Sequence, residues 1–294
     1  MKVAIVCAAG IGDALLMQIC AKALQTRGME TVTFSKHLPS LASWFPGFCF
    51  APNPTEEILS SFDAIVLQYD NTPRAQKIRA LNKSVYTFYG DYQSEKHGAL
   101  RPGQDAVFDP KLCMAENIAN AVSVVFPGST KDLANGLVAP TTLIHRAYPR
   151  RIAIHPTSSA SEKNWRKTSF LHLRDLLARA GWEPVFIVPP EEASAWNSPT
   201  LPTLADLAAF LYESGGFIGN DSGPGHLASN LGLSTLIIGP SQSHLTYWRP
   251  GWKKGEIVYP PQWVNQFKLS RVNWKYFVSV NQVFKIFNKL KLDL

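Results

Sequence analysis

The chain has 294 residues, 46% of them hydrophobic, with a formal net charge of +7 and a pI near 9.2. That length suits two domains, and the apolar fraction excludes a disordered chain. The basic balance suits an anionic partner, a phosphorylated ligand or an acidic membrane surface, while no basic helix or aromatic platform supports a nucleic-acid partner.

The chain starts with Lys2–Ala8 (KVAIVCA), a near-continuous apolar run of the kind a strand buried on both faces requires. Asp13 interrupts the run a signal peptide would need, so a strand leading into a helix is the better reading. Leu15, Leu16, Ile19, Cys20 and Leu24 recur at helical spacing over Asp13–Arg27, and Gly28 stops that helix. Strands are predicted at Glu30–Ser35, Asp63–Tyr69 and Ser84–Gly90, and a helix at Met114–Phe126. Residues 127–150 are rich in Pro, Gly and Thr without a period, which marks an interdomain crossover.

A second series follows. It runs strand Arg151–Pro156, helix Thr168–Ala180 with Gly181 as its stop, strand Glu183–Pro190, and a helix Leu204–Glu213 capped by Thr203. Two apolar runs, Gly216–Gly219 and Thr235–Gly239, then flank the polar hexad Asn220–Gly225. Ser279–Gln282 (SVNQ) has the form of a capping box before a helix at Val280–Leu290. No stretch of 18 apolar residues occurs, so no membrane span is expected. The four cysteines, Cys7, Cys20, Cys49 and Cys113, form no C-x-x-C pair, so neither a zinc site nor a disulfide framework is indicated and a reducing cytoplasm fits. Two strand–helix series in tandem predict an α/β chain of two Rossmann-like domains, with ligands beyond the carboxyl ends of the strands.

Four clusters stand at such strand ends. The hexad offers Gly223 and Gly225 for close approach of an anion, Pro224 for the first helical turn, and Asp221 or Ser222 as the cap; a ligand-free capped turn is the alternative. In His155–Phe170, Thr157, Ser158 and Ser159 supply hydroxyls and Lys163 a mobile charge for a diphosphate, or the loop is only solvated, and Trp165 reads as packing. Glu191 and Glu192 follow the strand at Val185–Val188 and either meet a ribose or open a helix. In Ala8–Leu16, Gly10 and Gly12 begin a dinucleotide fingerprint, but Leu15 replaces its third glycine and no acid ends the strand at Ser35 and Lys36, so an NAD site is disfavoured. Asp13 there is either a general base or a helix-opening acid. The absence of any Asp-x-Asp pair removes the simplest metal-binding carboxylate pair.

Taken together, GNDSGPGHLASNLGLSTLIIGPS followed by WRPGW, the segment HPTSSASEKNWRKTSFLHLRDLL and the opening GIGDALLMQICAKALQ resemble glycosyltransferase family 9, the ADP-heptose:lipopolysaccharide heptosyltransferases. The resemblance implies a GT-B fold, two Rossmann-like domains with parallel sheets facing a cleft: residues 1–140 on the acceptor side, 141–278 binding the nucleotide-sugar, and a helix at 279–294 returning to the first domain. It implies inverting transfer of a heptose from ADP-heptose to a lipid A–core acceptor, with no cofactor and no metal. By position, Asp13 would be the base. Ser158, Ser159 and Lys163 would contact the diphosphate, and Glu191 or Glu192 the ribose. Asp221, Ser222, Gly223 and His226 would line the donor side, and Gly12, Lys36 and Lys77 the acceptor side, where Arg74 and Arg79 add charge. Gly225 stands where the family commonly has a larger residue such as Met. An acidic glycolipid acceptor implies a cytoplasmic protein at the inner face of an anionic membrane, which the lysine- and aromatic-rich tail 268–294 could touch. The rival readings are a GT-B-like enzyme for another nucleotide-sugar, including an epimerase, and a binding protein that has lost catalysis.

Overall fold

The computed structural model describes residues 1–81, 83–158, 160–253, 255–266 and 273–290, and the chain divides into two units, Met1–Val138 and Ala139–Leu294. The expected division lay two residues later, at 140.

The first unit is a six-stranded parallel sheet: β1 (Lys2–Val6), β2 (Glu30–Phe34), β3 (Cys49–Ala51), β4 (Ala64–Tyr69), β5 (Ser84–Tyr89) and β6 (Asp105–Val107), in the order β3-β2-β1-β4-β5-β6. This is the doubly wound order in which the strand sequence reverses beside β1, between β1 and β4. Val3, Ala4, Ile5 and Val6 are all buried, as a central parallel strand covered on both faces must be. The helix Ile11–Thr26 is buried around most of its circumference, including Gln18, whose amide donates to Thr33 Oγ1 at 3.0 Å. Gly28, at φ 75°, supplies the left-handed turn just past that helix.

The second unit is a five-stranded parallel sheet: β7 (Tyr148–His155), β8 (Glu183–Phe186), β9 (Ser214–Asn220), β10 (Thr235–Ile238) and β11 (Glu256–Val258), ordered β11-β10-β9-β7-β8. Here the order reverses between β7 and β9. Its core joins Ile152, Ile154 and Ile218 of the sheet to Phe170, Leu173 and Leu177 of the helix Lys167–Arg179. Trp165 is buried edge-on to Phe170 and donates from Nε1 to the Val278 carbonyl, so it packs, as expected.

Three short strands, β3, β6 and β11, were not predicted. Each has three residues and stands at a sheet edge, where pairing with β2, β5 or β10 rather than any sequence period creates the strand.

The last helix corrects one expectation. Val280–Phe287 buries Val283 and Phe287 in the second unit's own core, with Phe287 edge-on to Trp182. Its buried apolar residues thus join the core of residues 139–294. Ser279 caps it, accepting from Gln282 N, but the Gln282 amide donates to the Tyr259 carbonyl instead of closing the box. The parts of the tail at 268–272 and 291–294 lie outside the described residues. Among the described residues, no helix is long and apolar enough to cross a membrane.

Candidate functional site

In the first unit the loop between β1 and its helix is fixed from both neighbouring strands. On the β2 side, His37 Nε2 donates to the Ala9 carbonyl at 3.1 Å; the carbonyl can only accept, so the proton sits on Nε2. Burial holds the His37 pKa below the usual imidazole value. On the β4 side, Gln68 Oε1 accepts from Ala8 N at 3.1 Å, and Gln68 Nε2 donates to Asp13 Oδ1 at 2.7 Å. Asp13 is half-buried in the first helical turn, where the helix dipole favours an acid. Its other carboxylate oxygen, Oδ2, lies only 2.5 Å from where a Cβ on Gly10 would stand. Gly10 has φ −82° and ψ 155°, a conformation open to any residue, so the glycine is required by the carboxylate above it and not by the backbone.

Gly12 is buried within the helix. Lys36 is exposed beside His37, and Lys77 is exposed in the last turn of the helix Pro73–Arg79, where a cation suits the helix end. Arg74, on the first turn of the same helix, shields its Nε and Nη2 from solvent without a hydrogen-bond partner among the described residues. Arg79 is instead committed to structure, pairing with the buried Asp105 at 3.3 Å.

The second unit presents a matching arrangement at the ends of β7 and β9. Asn220 closes β9 fully buried. Its Oδ1 accepts from Trp165 N at 2.9 Å and its Nδ2 donates to the Pro156 carbonyl at 2.7 Å, which staples the loop after β7 to the end of β9. Asp221 follows. Its Oδ2 accepts from His244 Nε2 at 2.9 Å and lies 3.9 Å from Lys163 Nζ. His244 is carried by the helix Gln242–Trp248, whose N-terminus Ser241 caps through the His244 amide.

Ser222 is the N-cap residue of the helix Gly223–Asn230, but its hydroxyl does not cap the helix. It turns back to the Asn220 carbonyl at 3.1 Å, correcting the expectation of a side-chain cap. Ser158 Oγ faces two acceptors, the Ala160 carbonyl at 2.9 Å and Asn164 Oδ1 at 2.7 Å, so its single proton is engaged within the loop. Ser159 lies outside the described residues. Glu191 is exposed and Glu192 half-buried in the turn Pro190–Glu192 after β8.

His226 is 4% exposed and stands edge-on to Trp252 with its Nδ1 buried and unpartnered among the described residues; burial lowers its pKa. His155, at the end of β7, donates from Nδ1 to the Ile187 carbonyl at 2.7 Å, and burial pushes its pKa down to about 4. A Cβ on Gly225 would lie 3.1 Å from Ile237 Cδ1 and 3.4 Å from Phe217 Cε1, so a larger side chain at this position would have to push the Ile237 methyl aside.

The structure thus brings Lys163 and Asp221 together and adds His244, which sequence reasoning missed. It gives Asp13 a partner, Gln68, that was also missed. The available signal was a polar residue near the end of each buried strand: Gln68 in DAIVLQY and Asn220 in GFIGN must each find partners. Among the described residues, no group of three His, Cys, Asp or Glu could hold a metal ion.

Residues 129–257 match the family model of glycosyltransferase family 9 (heptosyltransferase). A search of curated proteins found no match. Among solved structures, the chain is similar to the glycosyl transferase family 9 protein from Veillonella parvula (18% identity, TM-score 0.71, 100% of this chain and 98% of that one). It is similar to the Escherichia coli ADP-heptose lps heptosyltransferase II (16% identity, TM-score 0.71, 100% and 99%). It is also similar to the E. coli heptosyltransferase WaaC solved with ADP (15% identity, TM-score 0.70, 98% and 99%). The family match bears out the resemblance read from the sequence. The shared fold over nearly the whole of each chain bears out the α/β reading of two parallel-sheet units of the GT-B kind.

Proposed function

We propose that this chain, a glycosyltransferase by its family 9 match over residues 129–257, moves a heptose from ADP-heptose to a lipopolysaccharide inner-core acceptor of the lipid A–Kdo type, with inversion and without a metal. The single observation that carries the reading is Asp13, a carboxylate held by Gln68 at the switch point of the first sheet. As base it takes the proton of an acceptor hydroxyl while that oxygen attacks the anomeric carbon. The bond from that carbon to the diphosphate breaks, and ADP leaves with the electron pair.

The second unit holds the donor in this reading. Lys163 meets the diphosphate, steered by Asp221 and His244, and the N-terminus of the helix Gly223–Asn230 adds backbone donors and a favourable dipole. Ser158 joins them by exchanging its loop acceptors for phosphate oxygens, and this reading assigns Ser159, the next residue in sequence, to the same diphosphate. Ser222 and His226 line the same side, and Glu191 or Glu192 accepts from the ribose hydroxyls. These groups, together with the absence of an Asp-x-Asp pair from the sequence, support charge stabilisation by the protein alone. Lys36, Lys77 and Arg74 serve the acidic acceptor in the first unit, while the buried Gly12 lets the helix that carries Asp13 pack closely. A membrane glycolipid as acceptor brings peripheral contact with an anionic cytoplasmic leaflet into the same reading.

The experiment is calorimetric titration with ADP, UDP and NAD, followed by transfer from ADP-heptose to a Kdo-bearing lipid A in the presence of EDTA. Preference for ADP and transfer that survives EDTA are expected. Preference for UDP would move the donor elsewhere, and transfer lost with EDTA would end the metal-free mechanism.

A further inference from the structure

Asp13 sits on the first turn of a helix, where a short side chain has more than one rotamer open to it. A base must hold one geometry, because small misplacements of a reacting group cost orders of magnitude in rate. The structure holds one carboxylate oxygen by a hydrogen bond and leaves room for the other over Gly10. Gln68 is 5% exposed near the end of β4, the strand beside β1 at the switch point. A backbone N–H can only donate, so the Ala8 N–H bond fixes the amide with Oε1 towards Ala8 and Nε2 towards Asp13. The 2.7 Å bond from Nε2 to Asp13 Oδ1 is therefore set by the backbone of the very loop that carries the acid into its helix. On the other side, Oδ2 lies where only a glycine at position 10 leaves room.

We infer that Gln68 is a positioning residue for Asp13: its side-chain amide, locked by the Ala8 N–H, holds the carboxylate over Gly10 in the orientation in which it takes the acceptor proton. This rests on Asp13 being the base. Gln68 touches no substrate in this role and acts through Asp13 alone. The donated hydrogen bond also favours the ionised carboxylate over the protonated acid.

The test compares wild type with Gln68→Met, which keeps the length and removes both polar atoms, and Gln68→Glu, which sets a second carboxylate against the first. A carbon-detected NMR titration of the Asp13 carboxyl reads the effect without any activity. Gln68→Met should move its midpoint up by about half a unit to one unit, and Gln68→Glu further. In the transfer assay, Gln68→Met should lower kcat about tenfold to a hundredfold with little change in acceptor KM, and should move the acid limb of the pH profile upward by the same amount. Gly10→Ala leaves Gln68 intact and crowds Oδ2, and should also lower kcat. A Gln68→Met protein that melts early but keeps the wild-type Asp13 titration and pH profile overturns the inference, as does a Gly10→Ala enzyme with wild-type kcat. An Asp13 midpoint that moves in a protein whose wild type transfers no sugar would uphold the clamp while refuting the glycosyl-transfer reading.

Discussion

His244 donates from Nε2 to Oδ2 of Asp221 at 2.9 Å, and the same oxygen lies 3.9 Å from Lys163 Nζ. One carboxylate oxygen thus serves an imidazole from the helix after β10 and an ammonium from the loop after β7. The Lys163 side chain is 41% exposed and Asp221 only 9%, so the acid is the fixed member and the lysine the mobile one. At 3.9 Å the ammonium is not bonded tightly to the carboxylate, and its donors can turn to an anion beside the helix Gly223–Asn230.

Removing that cation should weaken nucleotide binding. Lys163→Ala is expected to lower ADP affinity about tenfold, the usual scale of one charge-assisted hydrogen bond. His244→Ala, which only loosens Asp221, should have a smaller effect of about threefold. Calorimetric titration with ADP measures both, and an unchanged Kd in Lys163→Ala removes the lysine from the diphosphate site.

Chemistry and donor binding should separate at Asp13. Asp13→Asn is expected to slow transfer by about a hundredfold to ten-thousandfold, the range typical of general-base loss. ADP affinity should stay at the wild-type value, because the proposed donor groups belong to the other unit. Full activity in Asp13→Asn would place the base elsewhere.

Acid should destabilise the fold before the carboxylates titrate. Burial lowers His155 from 6.5 to about 4, and lowers His226 as well. In the unfolded chain these histidines take up protons below about pH 6.5. Stability is therefore greatest above that pH and is lost as pH falls from 6.5 towards 4, by up to about 3 kcal/mol for His155. Urea unfolding at pH 7.5, 6 and 5 measures the slope, which His155→Gln should flatten; an unchanged slope in that variant would show that His155 does not carry it.

Filling position 225 should strain the second unit. Gly225→Met must displace Ile237, Phe217 and Pro250, all within 3.7 Å of the first added carbon. A cost of about 1–3 kcal/mol is expected, as for other overpacked cores. Thermal unfolding measures it, and an unchanged or raised Tm would mean the pocket yields.

Much of the candidate site was legible because its signals are local. A glycine pair and an acid at the first strand–helix junction, and a polar hexad between two apolar runs, are visible within a dozen residues. Partners that come from other strands were not. Gln68 meets Asp13 across 55 residues, Asn220 meets Trp165 across 55, and His244 meets Asp221 across 23. Ser222 shows the same limit in reverse: its place at the N-cap was readable, but the closer claim of the Asn220 carbonyl on its hydroxyl was not.

By itself the sequence determined the two α/β series, the main strands and most helix ends, since apolar runs, helical spacing and stop glycines act within a few residues. It also determined the family resemblance and the identity of the candidate base. Only the tertiary structure decided the strand orders, the three short edge strands and the burial of the last helix in the second unit. It alone paired Gln68 with Asp13 and His244 with Asp221. The reason is physical: a parallel sheet joins strands distant in sequence, and which polar side chains meet at its carboxyl edge depends on that order, which no local pattern encodes.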